Sequence, residues 1–159
     1  MTDFVVLHNI DELINVCRNI MISLSSWFLA NKLTLNTDKS SFTIFKSPRR
    51  SINLPNSISF LNHKINRVSH IKFLGVTLDE HLSFNQHINK VCNKLKNLFH
   101  IFYNIRGFLS KENIRTLYYA LIYSRIKYGI VVYGQAKASN IKRIQTLQNK
   151  LLKVLAGKK

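Results

Sequence analysis

Phe84, Ile88, Val91, Leu95, Leu98, Phe102 and Ile105 follow one another at alternating steps of four and three residues. That spacing lines apolar side chains along one side of an α-helix, whereas a strand would send them to both faces. Ser83 and Gln86 have the S-x-x-Q form of a capping box at its start, and Gly107 is placed to end it. From Ser139 a second amphipathic stretch sets Ile141, Ile144, Leu147, Leu151 and Leu155 against Lys142, Arg143, Lys150 and Lys153 on the opposite face. Between the two, Ser110 can cap a helix running through Leu117, Ala120 and Leu121 to about Ser124, while Arg125 to Gly134 carries no single period.

Upstream the pattern is mixed. Leu13, Ile14, Cys17, Met21, Leu24 and Phe28 recur at helical spacing from Asp11 to Asn31, with Asn9 or Asp11 as the N-cap. Ser41 to Phe45 alternates as a strand does, Ser57 to Leu61 and Lys64 to Arg67 flank an Asn62-His63 turn, and Ile71 to Leu78 is a further β-type run. The stretch Lys46 to Asn56, with Pro48, Arg49, Arg50 and Pro55, reads as an exposed excursion. With 159 residues, 46% of them hydrophobic, the chain can bury one core or two small ones. The expected architecture is α+β: a small helix and antiparallel-strand half over residues 1–82, then a basic helical half over 83–159.

Charge separates the same two halves. Nine basic and six acidic residues precede Phe84, whereas fifteen basic residues and the single Glu112 follow it. A block so one-sided marks where a polyanion is met, and nucleic acid is the expected partner. The longest uncharged apolar stretch, Ile20 to Ala30, falls short of the roughly 17 residues that cross a bilayer, so no transmembrane helix is expected. The start shows no leader pattern, and Cys17 and Cys92 stand far apart, which fits a reduced, intracellular protein, nuclear or cytoplasmic.

Four blocks carry a resemblance. They are Trp27 to Lys39 (W-F-L-A-N-K-L-T-L-N-T-D-K), Phe73 to Asp79 (F-L-G-V-T-L-D), Leu117 to Tyr123 running on to Tyr128 to Gly134, and Leu147 to Lys150 (L-Q-N-K). In order and spacing these resemble the C-terminal part of the reverse transcriptase domain of non-LTR retrotransposons, LINE-type elements near the jockey and CR1 groups. The resemblance implies the end of a palm subdomain followed by a thumb-like helical bundle that holds a template-primer duplex of RNA or DNA, chiefly by its phosphates. It places Lys39 near the incoming nucleotide, where a cation can stabilise departing pyrophosphate. It makes Phe73, Leu74 and Gly75 the primer grip. In the family a Phe/Tyr-Ala-Asp-Asp turn, whose aspartates hold Mg2+, stands just before sequence like Thr2 to Leu7, and no such pair is found here. RNA-directed DNA synthesis is thus the family's activity, and this chain is expected to be inactive alone, with no cofactor of its own and the remaining palm and fingers as a partner. The alternatives are a stand-alone basic nucleic-acid-binding module with a cellular role, or a non-functional remnant.

The remaining constellations are plainer. His81, His87 and Cys92 match no zinc spacing, Cys17 and Cys92 fall on apolar helix sides, and Asp79-Glu80 before a helix start suits the helix dipole. Lys90 and Lys94 make one cationic ridge, and Lys142, Arg143, Lys150 and Lys153 a second. Arg115, Arg125 and Lys127 interrupt a run of tyrosines (118, 119, 123, 128 and 133) that either fills a core or stacks on bases.

Overall fold

The computed structural model describes residues 10–34, 36–49, 51, 53–60 and 63–157. The segment 2–7, the alternative cap Asn9, Arg50 of the excursion, Leu61 at the end of the expected strand and Asn62 of the expected turn lie outside these. The chain divides into two compact units between Ser69 and His70. The second hairpin therefore belongs with the helices, upstream of Ser83.

In the first unit, α1 covers Ile10–Ala30. It closes where Lys32 takes a left-handed φ of 55°, with Leu33 N–H donating to Phe28 O at 2.9 Å and the Asn31 side chain donating to Trp27 O at 2.8 Å. Strands β1 (Ser41–Phe42), β2 (Ser57–Phe60) and β3 (His63–Arg67) form a sheet ordered β1-β3-β2. β2 and β3 are antiparallel, with Ile58 opposite Ile65; β1 is shorter than its alternating pattern and joins β3 in parallel. Ile58, Phe60 and Ile65 bury the same side of the sheet, and Leu54 anchors the end of the excursion in the core. Only Ser25 of α1 is buried. By length and composition α1 could cross a membrane, although most of it is solvent-exposed in the unit. The expectation of no transmembrane helix counted only the uncharged run from Ile20, whereas the apolar window of α1 also takes in Arg18.

The second unit opens with a hairpin of β4 (His70–Phe73) and β5 (Val76–Asp79) and continues into α2 (Asn85–Ile105). Six of the seven stripe residues are buried, and Ile105 is half-buried. They pack chiefly against α6 (Ala138–Leu155), whose Ile144, Leu151 and Leu155 are buried. Each fully buried aliphatic or aromatic side chain of this kind stabilises by about 1.5–3 kcal/mol. Ser110 caps α3 (Lys111–Leu117) by accepting from Asn113 N–H at 3.2 Å. The helix widens into a π turn (Tyr118–Tyr123), returns to α-geometry as α4 (Ser124–Lys127), and after a bend at Tyr128-Gly129 makes α5 (Ile130–Tyr133). The segment without a period is thus helical, shaped by burial of Tyr133 rather than by repetition.

The capping box does not form. Phe84 occupies the N-cap of α2 in the left-handed region and no side chain caps there. Asp79 organises the turn instead: its carboxylate accepts from Ser83 N–H at 3.0 Å, Ser83 O–H at 3.1 Å, Phe84 N–H at 2.8 Å and His81 N–H at 3.1 Å. Burial opposes ionisation at Asp79, but these hydrogen bonds outweigh it and hold the carboxyl below its ordinary range.

Candidate nucleic-acid interface

The hairpin tip is a two-residue turn in which Leu74 (φ 43°) and Gly75 (φ 82°) both have positive φ, as a type I′ turn requires. Tyr128 holds it from outside, its O–H donating to Leu74 O at 2.5 Å. A Cβ on Gly75 would lie 2.9 Å from the Tyr128 ring, and one on Gly129 would lie 2.7 Å from Val76 Cγ2. The F-L-G and Y-G blocks are therefore two sides of one joint. Phe73 is half-buried, and the Leu74 side chain stands 75% exposed at the tip.

Behind the tip lies an aromatic core. Tyr133 is fully buried, its O–H donating to Ile126 O, and its ring sits 4.9 Å from that of His87. Burial, reinforced by nearby Cys92, pushes the phenol up to about 12. His87 is buried and accepts from Thr77 N–H at 3.3 Å, while its Nε2 has no partner. Burial and then Lys90 and Lys94 lower its pKa, so it is held neutral. Burial raises the Cys17 thiol, and it raises that of Cys92 against the pull of Arg143 and Lys96.

Three groups of cations stand out in this unit. Lys142, Arg143, Lys150 and Lys153 are exposed on α6 within an arc of about 100°, along about 16 Å of its length. Lys96 joins this ridge in a recess of about 430 Å3 lined by Lys142, Arg143, Ser139 and Thr146. Arg106, stacked 4.2 Å over the Tyr103 ring, joins it beside Lys150 and Lys153 in a second recess of about 440 Å3. Arg143 is held in place by Asn89 Oδ1 at 2.8 Å and Asn140 Oδ1 at 3.5 Å.

Lys90 and Lys94 form the second group, on the other flank of α2, with Lys90 about 120° round the helix from Lys96. Lys90 Nζ donates to Thr77 Oγ1 at 3.0 Å, and the guanidinium of Arg125 donates to Lys94 O at 3.5 Å. Arg115 and Lys127 form the third, over the rings of Tyr119 and Tyr123 at 6.0 and 5.6 Å. Among the described residues none of these cations pairs with a carboxylate. Lys96 and Arg106 are additions to the ridges read from the sequence; their signal was their place on the flank of the apolar stripe that turns toward α6.

In the first unit, Lys39 ends a short 3-10 turn (Thr37–Lys39), its N–H donating to Asn36 Oδ1 at 3.1 Å and its side chain exposed. Among the described residues no group of three or more His, Cys, Asp or Glu comes together. The Mg2+ implied by the resemblance finds no fitting donor set in them, and no chemical step is derived through it.

Over 136 residues, 84% of the chain, the sequence is 30% identical to the probable RNA-directed DNA polymerase from transposon X-element of Drosophila melanogaster, covering 15% of that protein. It is 29% identical over 57% of the chain to the probable RNA-directed DNA polymerase from transposon BS of the same species, covering 10% of it. It is 30% identical over 54% of the chain to the RNA-directed DNA polymerase from mobile element jockey of Drosophila funebris, again covering 10%. The chain thus spans only 10% to 15% of the curated relatives it matches. No family model and no solved structure matches it.

Proposed function

From a chain related over most of its length to a stretch of the RNA-directed DNA polymerases of non-LTR transposons, we propose that the second unit is a clamp for the nucleic-acid backbone. In this reading the chain grips a template-primer duplex and does not itself join nucleotides. The observation that carries it is the α6 ridge: four exposed cations on one arc, extended by Lys96 and Arg106, with the Ser139 hydroxyl among them, while the Thr146 O–H donates to Lys142 O at 2.8 Å. Cations with a small hydroxyl among them suit phosphate oxygens, which need charge and short hydrogen-bond donors but no base-specific pattern. Lys39 would then lie toward the incoming nucleotide, Phe73, Leu74 and Gly75 against the primer strand, and the exposed apolar side of α1 against further palm and fingers sequence.

The test is a filter-binding titration of duplex DNA, duplex RNA and hybrid at several salt concentrations. Binding is expected to weaken steeply with salt and to depend little on sequence. The triple substitution Lys142→Gln, Lys150→Gln and Lys153→Gln should flatten the logarithmic salt slope by up to about 0.9 for each phosphate left without its lysine. Absence of binding at low salt overturns the clamp. Primer extension with Mg2+ is expected to yield no product from this chain, and a templated product overturns the non-catalytic part of the reading.

A further inference from the structure

The tyrosine-rich segment has a geometry that backbone gripping does not use. Arg115, Tyr119, Tyr123 and Lys127 recur every four residues. The π turn between them changes which side chains meet. In an α-helix, positions five apart lie about 140° round the axis, whereas i→i+5 bonding brings them toward one face. Tyr118 and Tyr123 accordingly approach to 6.4 Å between ring centroids, and Tyr119 stands edge-on to both at 5.2 and 5.5 Å. Tyr118 is fixed from behind, its oxygen accepting from Gln148 Nε2 of α6 at 2.7 Å. Tyr119 and Tyr123 remain 49% and 38% exposed.

We infer that the stripe Arg115-Tyr119-Tyr123-Lys127 is a stacking platform for single-stranded nucleic acid, separate from the α6 ridge. Partly exposed tyrosine rings accompanied by cations match an unpaired base flanked by its phosphates, since every base has a π face and stacking tolerates any sequence. The cations already sit at the ends of the tyrosine pair, within cation–π reach of the rings. In a duplex the bases are stacked on one another and offer no free face, so this surface selects unpaired strand. The inference rests on the reading of this unit as nucleic-acid-binding, and places a strand emerging from the clamp on the π turn.

The experiment compares the full chain with Tyr119→Leu/Tyr123→Leu and Tyr119→Phe/Tyr123→Phe on a single-stranded oligothymidylate and on a blunt DNA duplex, at one salt concentration. The leucine pair is expected to lose about tenfold in single-strand affinity for each ring removed, to keep duplex affinity, and the phenylalanine pair to bind both as the parent does. Unchanged single-strand binding by the leucine pair overturns the platform, as does an equal loss on both nucleic acids. Should the leucine pair fail to fold, photocrosslinking of the parent to oligo(5-bromodeoxyuridine) decides: adducts at Tyr119 or Tyr123 support the platform, and adducts only elsewhere overturn it. Duplex binding abolished by the α6 triple substitution, with single-strand binding kept, separates the two sites. A parent chain that binds single strands but no duplex removes the clamp and leaves the platform standing.

Discussion

α1 and α2 are each 21 residues long, yet α2 buries seven residues and α1 only Ser25. The difference is not a shortage of apolar residues on α1, which carries more of them than α2 does. α2 finds α6 and β5 to cover its apolar stripe, leaving Ile101 and Tyr103 as its exposed large apolar side chains and most of its lysines and asparagines toward solvent. α1 has a stripe of the same spacing, but Leu13, Ile14, Cys17, Met21, Leu24 and Phe28 are only half-buried, and Ile22, Trp27 and Leu29 are exposed at 64%, 50% and 73%. A stripe covered within its own unit produces a rigid platform; a stripe only half covered, with further apolar side chains exposed beyond it, remains a surface for something else to pack on.

Substitutions can break or sharpen this contrast. Phe102→Ala on α2, at a fully buried position, should cost about 3–5 kcal/mol, whereas Ile22→Ala on α1 should stay within about 0.5 kcal/mol. Urea unfolding of the full chain reads both, and equal losses would erase the distinction. Asp79→Asn, removing a carboxylate that organises the start of α2, is expected to cost about 1.5–3 kcal/mol. The depressed Asp79 pKa means that its contribution is present above about pH 4 and is lost as pH falls through the lower folded value; a parent and variant with identical acid unfolding profiles contradict this.

Gly129→Ala forces a side chain into a left-handed position against Val76 and should destabilise by about 1–3 kcal/mol. Tyr128→Phe removes one hydrogen bond, about 1 kcal/mol, and leaves the ring in place. The smallest effect sits at His87. Its folded pKa lies below the unfolded value near 6.5, so stability is full above pH 6.5 and declines as acidification protonates the unfolded chain first. His87→Gln should flatten that decline below about pH 6.5, and an unchanged slope assigns the pH dependence to other groups.

Much of the second unit was legible because periodic burial is written directly into spacing. The α2 stripe, the α6 faces and the Ser110 cap are all local patterns. What escaped was set by tertiary geometry. Ser83 and Gln86 have the residue types of a capping box, but positive φ at Leu82 and Phe84 carries the chain round Asp79 instead. The tyrosines divide in a way that no composition rule states: Tyr133 fills the core, Tyr128 secures a hairpin, and Tyr119 and Tyr123 face water. Their four-residue interval with Arg115 and Lys127 was present in the sequence, but its meaning depended on the π turn. The cationic ridges were readable as ridges, yet which flank of α2 each occupied followed from where α6 docks.

Three cross-ties in the second unit join partners far apart along the polypeptide: Leu74 with Tyr128, Asn85 with Asn140 and Asn89 with Arg143, separated by 54, 55 and 54 positions. During synthesis each earlier member emerges from the ribosome long before the later one exists. The hairpin therefore waits for Tyr128 and α2 for α6, with apolar surface uncovered in the interval, a condition that exposes the polypeptide to chaperones, proteases and self-association.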